Sequence, residues 1–311
     1  MTDPVSGYRG RFAPSPTGPL HFGSLVAAIG SFLDAKAHAG EWRLRMEDVD
    51  APRCSEGAAT AILHALEAFG LAWDGDVVWQ SRRTEAYAAA LETLKAEDRV
   101  FPCACTRREL ADSAIAPDGA AIYPGTCREG LGPGRAARAW RLRVGNARIG
   151  FDDAIQGSVV SDLEREAGDF ILLRADGLHA YQLAVVVDDA AAGITHVVRG
   201  ADLLASTPRQ IFLQESLGVA TPAYMHLPVV VNAAGEKLSK QTRAEALDIA
   251  RPGPALVAAL EFLGQCPPPG LSAAAVEDIL AWAVRNWQLA RVPRGPAMRT
   301  EFNPDGKGSM P

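Results

Sequence analysis

The chain has 311 residues, 48% of them hydrophobic and 22% charged, with a net charge of −6. This is an ordinary globular composition, long enough for one large or two modest domains around a substantial core. No stretch approaches the roughly 20 continuous apolar residues of a membrane span, and the N-terminus lacks a basic and then apolar leader, so a cytoplasmic protein with no membrane partner is expected. Five cysteines, an odd number, do not suit a secreted disulfide framework.

The chain begins its regular structure with Arg9-Gly10-Arg11-Phe12-Ala13, which runs into Pro14-Ser15-Pro16-Thr17-Gly18-Pro19-Leu20-His21-Phe22-Gly23-Ser24. The pattern predicts strand, turn, helix: the prolines and Gly18 forbid pairing, and Leu25, Ile29, Phe32 and Leu33 follow at helical spacing. Gly23 at the helix start lets a ligand approach the backbone, and the unpaired N–H groups of a first turn suit phosphate. By itself such a turn is also a plain connection, in which a lone histidine caps or packs. Residues 42–46 alternate as a strand and end in Glu47-Asp48-Val49-Asp50; carboxylates at a strand end point into the ligand crevice of an open α/β sheet or face water. Helical spacing over residues 56–71 and 83–96 completes a β-α-β-α order, which predicts a parallel sheet.

The texture changes at residue 99. Between Arg99 and Gly150 lie nine arginines, no lysine and four acidic residues, a local +5 on an acidic chain; phosphate contacts need such a segment, and a solvated loop surface also carries one. Cys103, Cys105 and Cys127 bracket Tyr123 here. Three thiolates satisfy most of a tetrahedral zinc site, but no histidine offers a fourth ligand, so unliganded or redox-active cysteines remain open alternatives. Cys54 and Cys266 read as buried small hydrophobes. Residues 179–189 form an apolar run ending in Asp188 and Asp189, an inner strand or a buried helix. Residues 195–200 read as a strand ending at Arg199, and Thr207-Pro208 as a capped helix start. A strand-like run over 224–232 leads to Lys237-Leu238-Ser239-Lys240-Gln241, which alone would be a solvated basic loop. The last 70 residues carry helical patterns at 254–263 and 271–284, and 301–311 is expected to be disordered.

Taken together, His21-Phe22-Gly23-Ser24 and Lys237-Leu238-Ser239-Lys240-Gln241 resemble the paired signatures of class I aminoacyl-tRNA synthetases. From Arg11 to Gln241 the chain is similar to the catalytic core of glutamyl-tRNA synthetases, with Phe12-Ala13-Pro14-Ser15-Pro16-Thr17-Gly18, Arg45-Met46-Glu47-Asp48-Val49-Asp50, Arg199-Gly200-Ala201-Asp202 and Thr207-Pro208-Arg209-Gln210 in register. The short branch of that family, the glutamyl-Q tRNA(Asp) synthetases, resembles it most. The resemblance implies an α/β class I fold: a Rossmann-like parallel sheet over 1–98 and 175–245, an inserted zinc-containing acceptor-type module over 99–174, and a short helical C-terminal region over 246–300.

It also implies a ligase that activates L-glutamate with ATP and Mg²⁺, without tRNA, and transfers it to queuosine in the anticodon of tRNA(Asp). Its catalytic residues would be His21 and Lys240, with ATP held by His21, Gly23, Ser24, Lys237, Ser239 and Lys240. Glutamate would be held by Arg11, Phe12, Ala13, Pro14, Ser15, Glu47, Tyr181 and Arg199. The physics agrees, since guanidinium groups suit carboxylates and a carboxylate suits the ammonium of the amino acid. One structural Zn²⁺ would be bound by Cys103, Cys105 and Cys127, with Tyr123 as the fourth ligand. Ser24 replaces the second histidine of the general first signature, and Gln241 the final serine of the second. A monomer is expected. The 70 residues after Gln241 leave no room for a large anticodon-binding region; a minimal glutamyl-tRNA synthetase charging tRNA(Glu) and a non-catalytic tRNA- or adenylate-binding paralogue are the alternatives.

Overall fold

The computed structural model describes residues 7–300 apart from 112, 117, 118, 120, 233, 234 and 239–245; Ser239, Lys240, Gln241 and the 301–311 tail lie outside it. The chain runs β1 (Arg9–Phe12), α1 (Phe22–Ala37), β2 (Glu41–Met46), α2 (Glu56–Ala68), β3 (Val78–Trp79) and α3 (Thr84–Ala96). Then come β4 (Val100–Cys103), β5 (Ala139–Leu142), the hairpin β6 (Arg148–Asp153) and β7 (Gly157–Asp162), a single turn α4 (Leu163–Glu166), and β8 (Ile171–Leu173). The second half brings α5 (Tyr181–Ala191), β9 (His196–Gly200), α6 (Thr207–Leu217), β10 (Ala223–Leu227) and β11 (Val229–Val231), then α7 (Pro252–Phe262), α8 (Val276–Asn286) and β12 (Ala297–Arg299).

Strands β1, β2 and β3 pair in parallel. Strands β9 and β10 also pair in parallel, and β6 joins β10 with β7 antiparallel beyond it. The two sheets abut along β1 and β9, where the Thr195 N–H donates to the Arg9 carbonyl at 2.9 Å. The β6–β7 hairpin has no counterpart in the periodicity: its exposed face carries Val160, and Gly150 and Gly157 interrupt its pattern. It lies within the span expected as an insert, yet it hydrogen-bonds to the sheet that carries β9 and β10. The remaining antiparallel sheet, β4-β5-β8, carries Cys103 at the end of β4, and Cys105 and Cys127 lie in the loops between β4 and β5.

Helix α1 is central. Nearly every residue from Phe22 to Ala35 is buried, because the helix is covered by the strands on one side and by α7 and α8 on the other. Its close seat on β10 needs Gly30, where a Cβ would fall 2.5 Å from Leu227 Cδ1. This core also holds Trp42, Leu44, Leu66 and Phe69. A second one, with Tyr87, Leu142, Leu172, Leu183 and Val197, binds α3, α5 and α6 to the hairpin.

Of the two alternatives for residues 179–189 the buried helix holds, as α5 from Tyr181 to Ala191. Other local expectations change. Thr207 is not a cap: residues 201–206 form a 3₁₀ turn, Ser206 precedes the helix, and the Thr207 side chain is fully buried against Arg199. The run 224–232 breaks at Pro228 into two strands of different sheets, since proline cannot donate to a ladder. The last helical pattern is a 3₁₀ turn at Leu271–Ala273 followed by α8. Cys266 is exposed and Cys54 half-buried, so neither is a core residue. Among the described residues no helix is long and apolar enough to cross a membrane.

Candidate active site

A cleft of about 800 Å³ opens between the β1–α1 turn, the ends of β2 and β10, and the segment leading to Lys237. Phe12, Ala13, Pro14 and Ser15 line one part, with Glu47 and Tyr181; His21, Gly23, Ser24 and Lys237 line another. The turn is clamped from below, as Glu47 N–H donates to Pro14 O at 2.9 Å and Ser55 N–H to Pro16 O at 3.1 Å. His21 is extended at the N-cap of α1, and its Nδ1 accepts the Ser24 N–H at 3.3 Å; its Nε2 lies 3.2 Å from Ser24 Oγ. The histidine thus both caps the helix and faces the cleft. A Cβ on Gly23 would lie 3.2 Å from the His21 ring, so glycine lets the ring fold over the first turn. After the second signature the chain returns to the first, where Leu247 N–H donates to Leu20 O at 3.2 Å. Lys237 Nζ reaches Asp202 Oδ2 at 2.5 Å.

Arg11 and Arg199 do not line the wall but lie buried behind it. Arg11 donates from Nε and Nη2 to Asp189 at 3.3 Å. Arg45 bridges Asp189 at 2.5 Å and Glu47 at 3.1 Å. Burial works against the charge of Asp189, but Arg11 and Arg45 outweigh it and hold the carboxyl below its usual range. At Glu47 burial prevails over Arg45 and Arg11 and pushes the carboxyl up. Burial, and then Glu47, raise the Tyr181 phenol, which stays neutral and able to donate. Arg199 gives Nε to His226 Nε2 at 3.0 Å and Nη2 to Thr207 Oγ1 at 2.8 Å, while its buried Nη1 has no hydrogen-bond partner among the described residues. A buried guanidinium N–H left open costs free energy unless something accepts from it.

The family described as tRNA synthetases class I (E and Q), catalytic domain, matches residues 8–251. The chain belongs to that class I family. It is 64% identical over 294 residues to a glutamyl-Q tRNA(Asp) synthetase of Aromatoleum aromaticum, covering 94% of this chain and 93% of the relative. A glutamyl-Q tRNA(Asp) synthetase of Dechloromonas aromatica is 62% identical, with 93% and 97% covered. The fold is shared with the crystal structure of a glutamate tRNA ligase from Elizabethkingia meningosepticum in complex with its amino acid, at a TM-score of 0.77 and 24% identity, over 95% of this chain and 67% of that one. The chain is therefore a ligase of the class I aminoacyl-tRNA synthetase family, with that family's α/β fold.

In this class I chain the cysteine sheet brings three sulfurs together. Cys103, Cys105 and Cys127 Sγ all lie within 4.8 Å of one another, and Tyr123 Oη is 3.6 Å from Cys103 Sγ and 3.7 Å from Cys105 Sγ. Zn–S bonds of about 2.3 Å in a tetrahedron place sulfurs nearly 4 Å apart, so the donor set fits a closed metal site. Arg141 supports it, with Nε 3.3 Å from Cys103 Sγ and its guanidinium 3.9 Å from the centre of the Tyr123 ring. The cluster could bind a metal through these residues.

Asp188, Asp189 and Thr207 are visible along the chain, but their partners are not. Asp189 neutralises Arg11 and Arg45; Asp188 accepts from Gln80, Arg83 and Tyr87. Asp153 and His226 carried no signal, since each is a polar residue in a short strand whose partner lies 73 residues away.

Proposed function

We propose that this ligase activates L-glutamate with ATP, without tRNA, and transfers it to queuosine in the anticodon of tRNA(Asp). The observation that carries the reading is the open, buried Nη1 of Arg199, whose charge acts on Tyr181, a residue that lines the cleft together with Glu47. The zwitterionic amino acid would place a carboxylate on Arg199 and its ammonium on Glu47, with Tyr181 donating its hydroxyl. Arg11 takes part through Asp189, fixing the electrostatics under Phe12, Ala13, Pro14 and Ser15. ATP, entering as its Mg²⁺ complex, would lie along the α1 start, with its phosphates on Gly23, Ser24 and the His21 ring and Lys237 nearby. The second-signature residues Ser239 and Lys240 would complete the phosphate contacts.

Activation is an in-line attack of the glutamate α-carboxylate oxygen on the α-phosphorus. The new O–P bond forms as pyrophosphate leaves, and the charge spreading over the phosphate oxygens needs fixed donors. The adenylate carbonyl is then attacked by queuosine, and AMP departs. Zn²⁺ held by Cys103, Cys105, Cys127 and Tyr123 would cross-link the module and leaves no open position for substrate. An RNA partner is supported by a second groove of about 590 Å³ beside Cys105, lined by Arg107, Arg108, Arg138, Arg141 and Arg174.

Glutamate-dependent ATP–pyrophosphate exchange in the absence of tRNA, followed by labelled-glutamate transfer to separate tRNAs, tests the reading. Exchange, with label on queuosine-containing tRNA(Asp) and none on tRNA(Glu), is the expected result. Label on tRNA(Glu) alone would overturn the acceptor, and absence of exchange would overturn activation.

A further inference from the structure

The Arg199 guanidinium is held by a chain of buried groups, none of which lines the cleft. Arg199 Nε can only donate, so His226 Nε2, 3.0 Å away, must accept. The imidazole proton is therefore on Nδ1, which donates to Asp153 Oδ2 at 2.6 Å. Asp153 is fixed in turn: its Oδ1 accepts backbone N–H groups of Ile155 at 3.0 Å, Gln156 at 2.8 Å and His226 at 3.2 Å. Thr207 Oγ1 takes Nη2, and the Tyr224 ring lies 5.5 Å from the guanidinium carbon. Every guanidinium nitrogen but Nη1 is thereby satisfied.

We infer that Asp153 and His226 are positioning residues that set the His226 tautomer and so aim the free Nη1 of Arg199 at a carboxylate of the amino-acid substrate. This rests on the assignment of Arg199 to glutamate in the proposed function. The physical reason is that a guanidinium held at one nitrogen only can still turn about its bonds, whereas Nε and Nη2 fixed on two rigid acceptors leave Nη1 a single direction. Energy spent on reorientation at binding is then small. The role is distinct from stability because the acceptor at Nε2 exists in only one tautomer, and an isosteric change at Asp153 can reverse it without altering packing.

Asp153→Asn is the test. Three backbone donors keep the amide oxygen where Oδ1 was, so the amide nitrogen faces His226 Nδ1 and donates to it. The imidazole must then carry its proton on Nε2, against the Arg199 Nε–H. Glutamate KM in the exchange reaction should rise at least about tenfold, the worth of one charge-assisted hydrogen bond, while ATP KM stays within about twofold. In a His226→Gln background the amide can turn its oxygen to Arg199 whatever lies at 153, so Asp153→Asn should there have no further effect on glutamate KM. Equal changes in both KM values, or an Asp153→Asn effect that persists undiminished in the His226→Gln background, would overturn the inference. Arg199→Lys separates the two levels. If it raises glutamate KM and Asp153→Asn does not, only the positioning chain fails; if Arg199→Lys leaves glutamate KM unchanged, the assignment of Arg199 fails and this inference with it.

Discussion

His226 shows how one buried side chain couples folding to pH. Burial is the main cause that pushes its imidazole down to about 4, with Asp153 only partly opposing it, whereas an unfolded histidine titrates near 6.5. Below about pH 6.5 the unfolded chain therefore binds a proton that the native imidazole rejects. Stability from this group is fully present above that pH and declines as pH falls towards about 4, by roughly 3 kcal/mol at about 1.4 kcal/mol per pKa unit. Melting temperatures measured from pH 7.5 to 4.5 should fall less steeply in His226→Gln than in the wild type. Parallel curves would show that the site is not proton-linked. The carboxylates behave oppositely in range: Asp189, held down by Arg11 and Arg45, loses its contribution only below the ordinary carboxylate pKa. Arg11 illustrates what residue type leaves undecided, since its charge suggests an anion and the fold gives it Asp189.

At the scale of elements, α1 and the cysteine sheet were read from different signals. The spacing of Leu25, Ile29, Phe32 and Leu33 announces α1 locally, because helical periodicity needs no distant partner. Three cysteines with Tyr123 announce a candidate metal site, but whether the sulfurs converge depends on β4 pairing with β5 and on the loop that carries Cys127 back to Cys103. The expected metal content is one zinc per chain, measured by elemental analysis, and absent from Cys103→Ser. Removal of the metal should raise hydrogen exchange in residues 100–142 while α1 stays protected, because the small cluster around Phe101 and Tyr123 has few other buried groups to hold it. Metal-free protein with the same exchange pattern would contradict a structural role.

Across the whole molecule, charge is segregated: a −6 chain carries its positive groove on the module that follows α3. Arg141 and Arg174 are engaged with Cys103, Asp169, Asp50 and Asp176. Among the described residues Arg107, Arg108 and Arg138 are exposed and have no acidic partner. Changing these three to Gln should weaken tRNA binding and flatten its dependence on salt, by about one unit of log–log slope for each phosphate that is no longer neutralised. Exchange with glutamate and ATP should be unchanged, as the groove is separate from the cleft. An unaltered salt slope would remove the groove from the RNA path.

What the sequence determined by itself was whatever is encoded by neighbours along the chain: the strand-turn-helix opening, the amphipathic helices, the order β-α-β-α and the two signatures. It also carried Glu47 at a strand end and the cysteine spacing. What only the tertiary structure decided was pairing between distant segments. The β6–β7 hairpin joining β10, Asp189 meeting Arg11 and Arg45, and the Asp153–His226–Arg199 chain all join residues 27 to 178 positions apart. Local propensity sees residue types, whereas burial and hydrogen-bond partners, which set charge state and direction, exist only once those segments have packed.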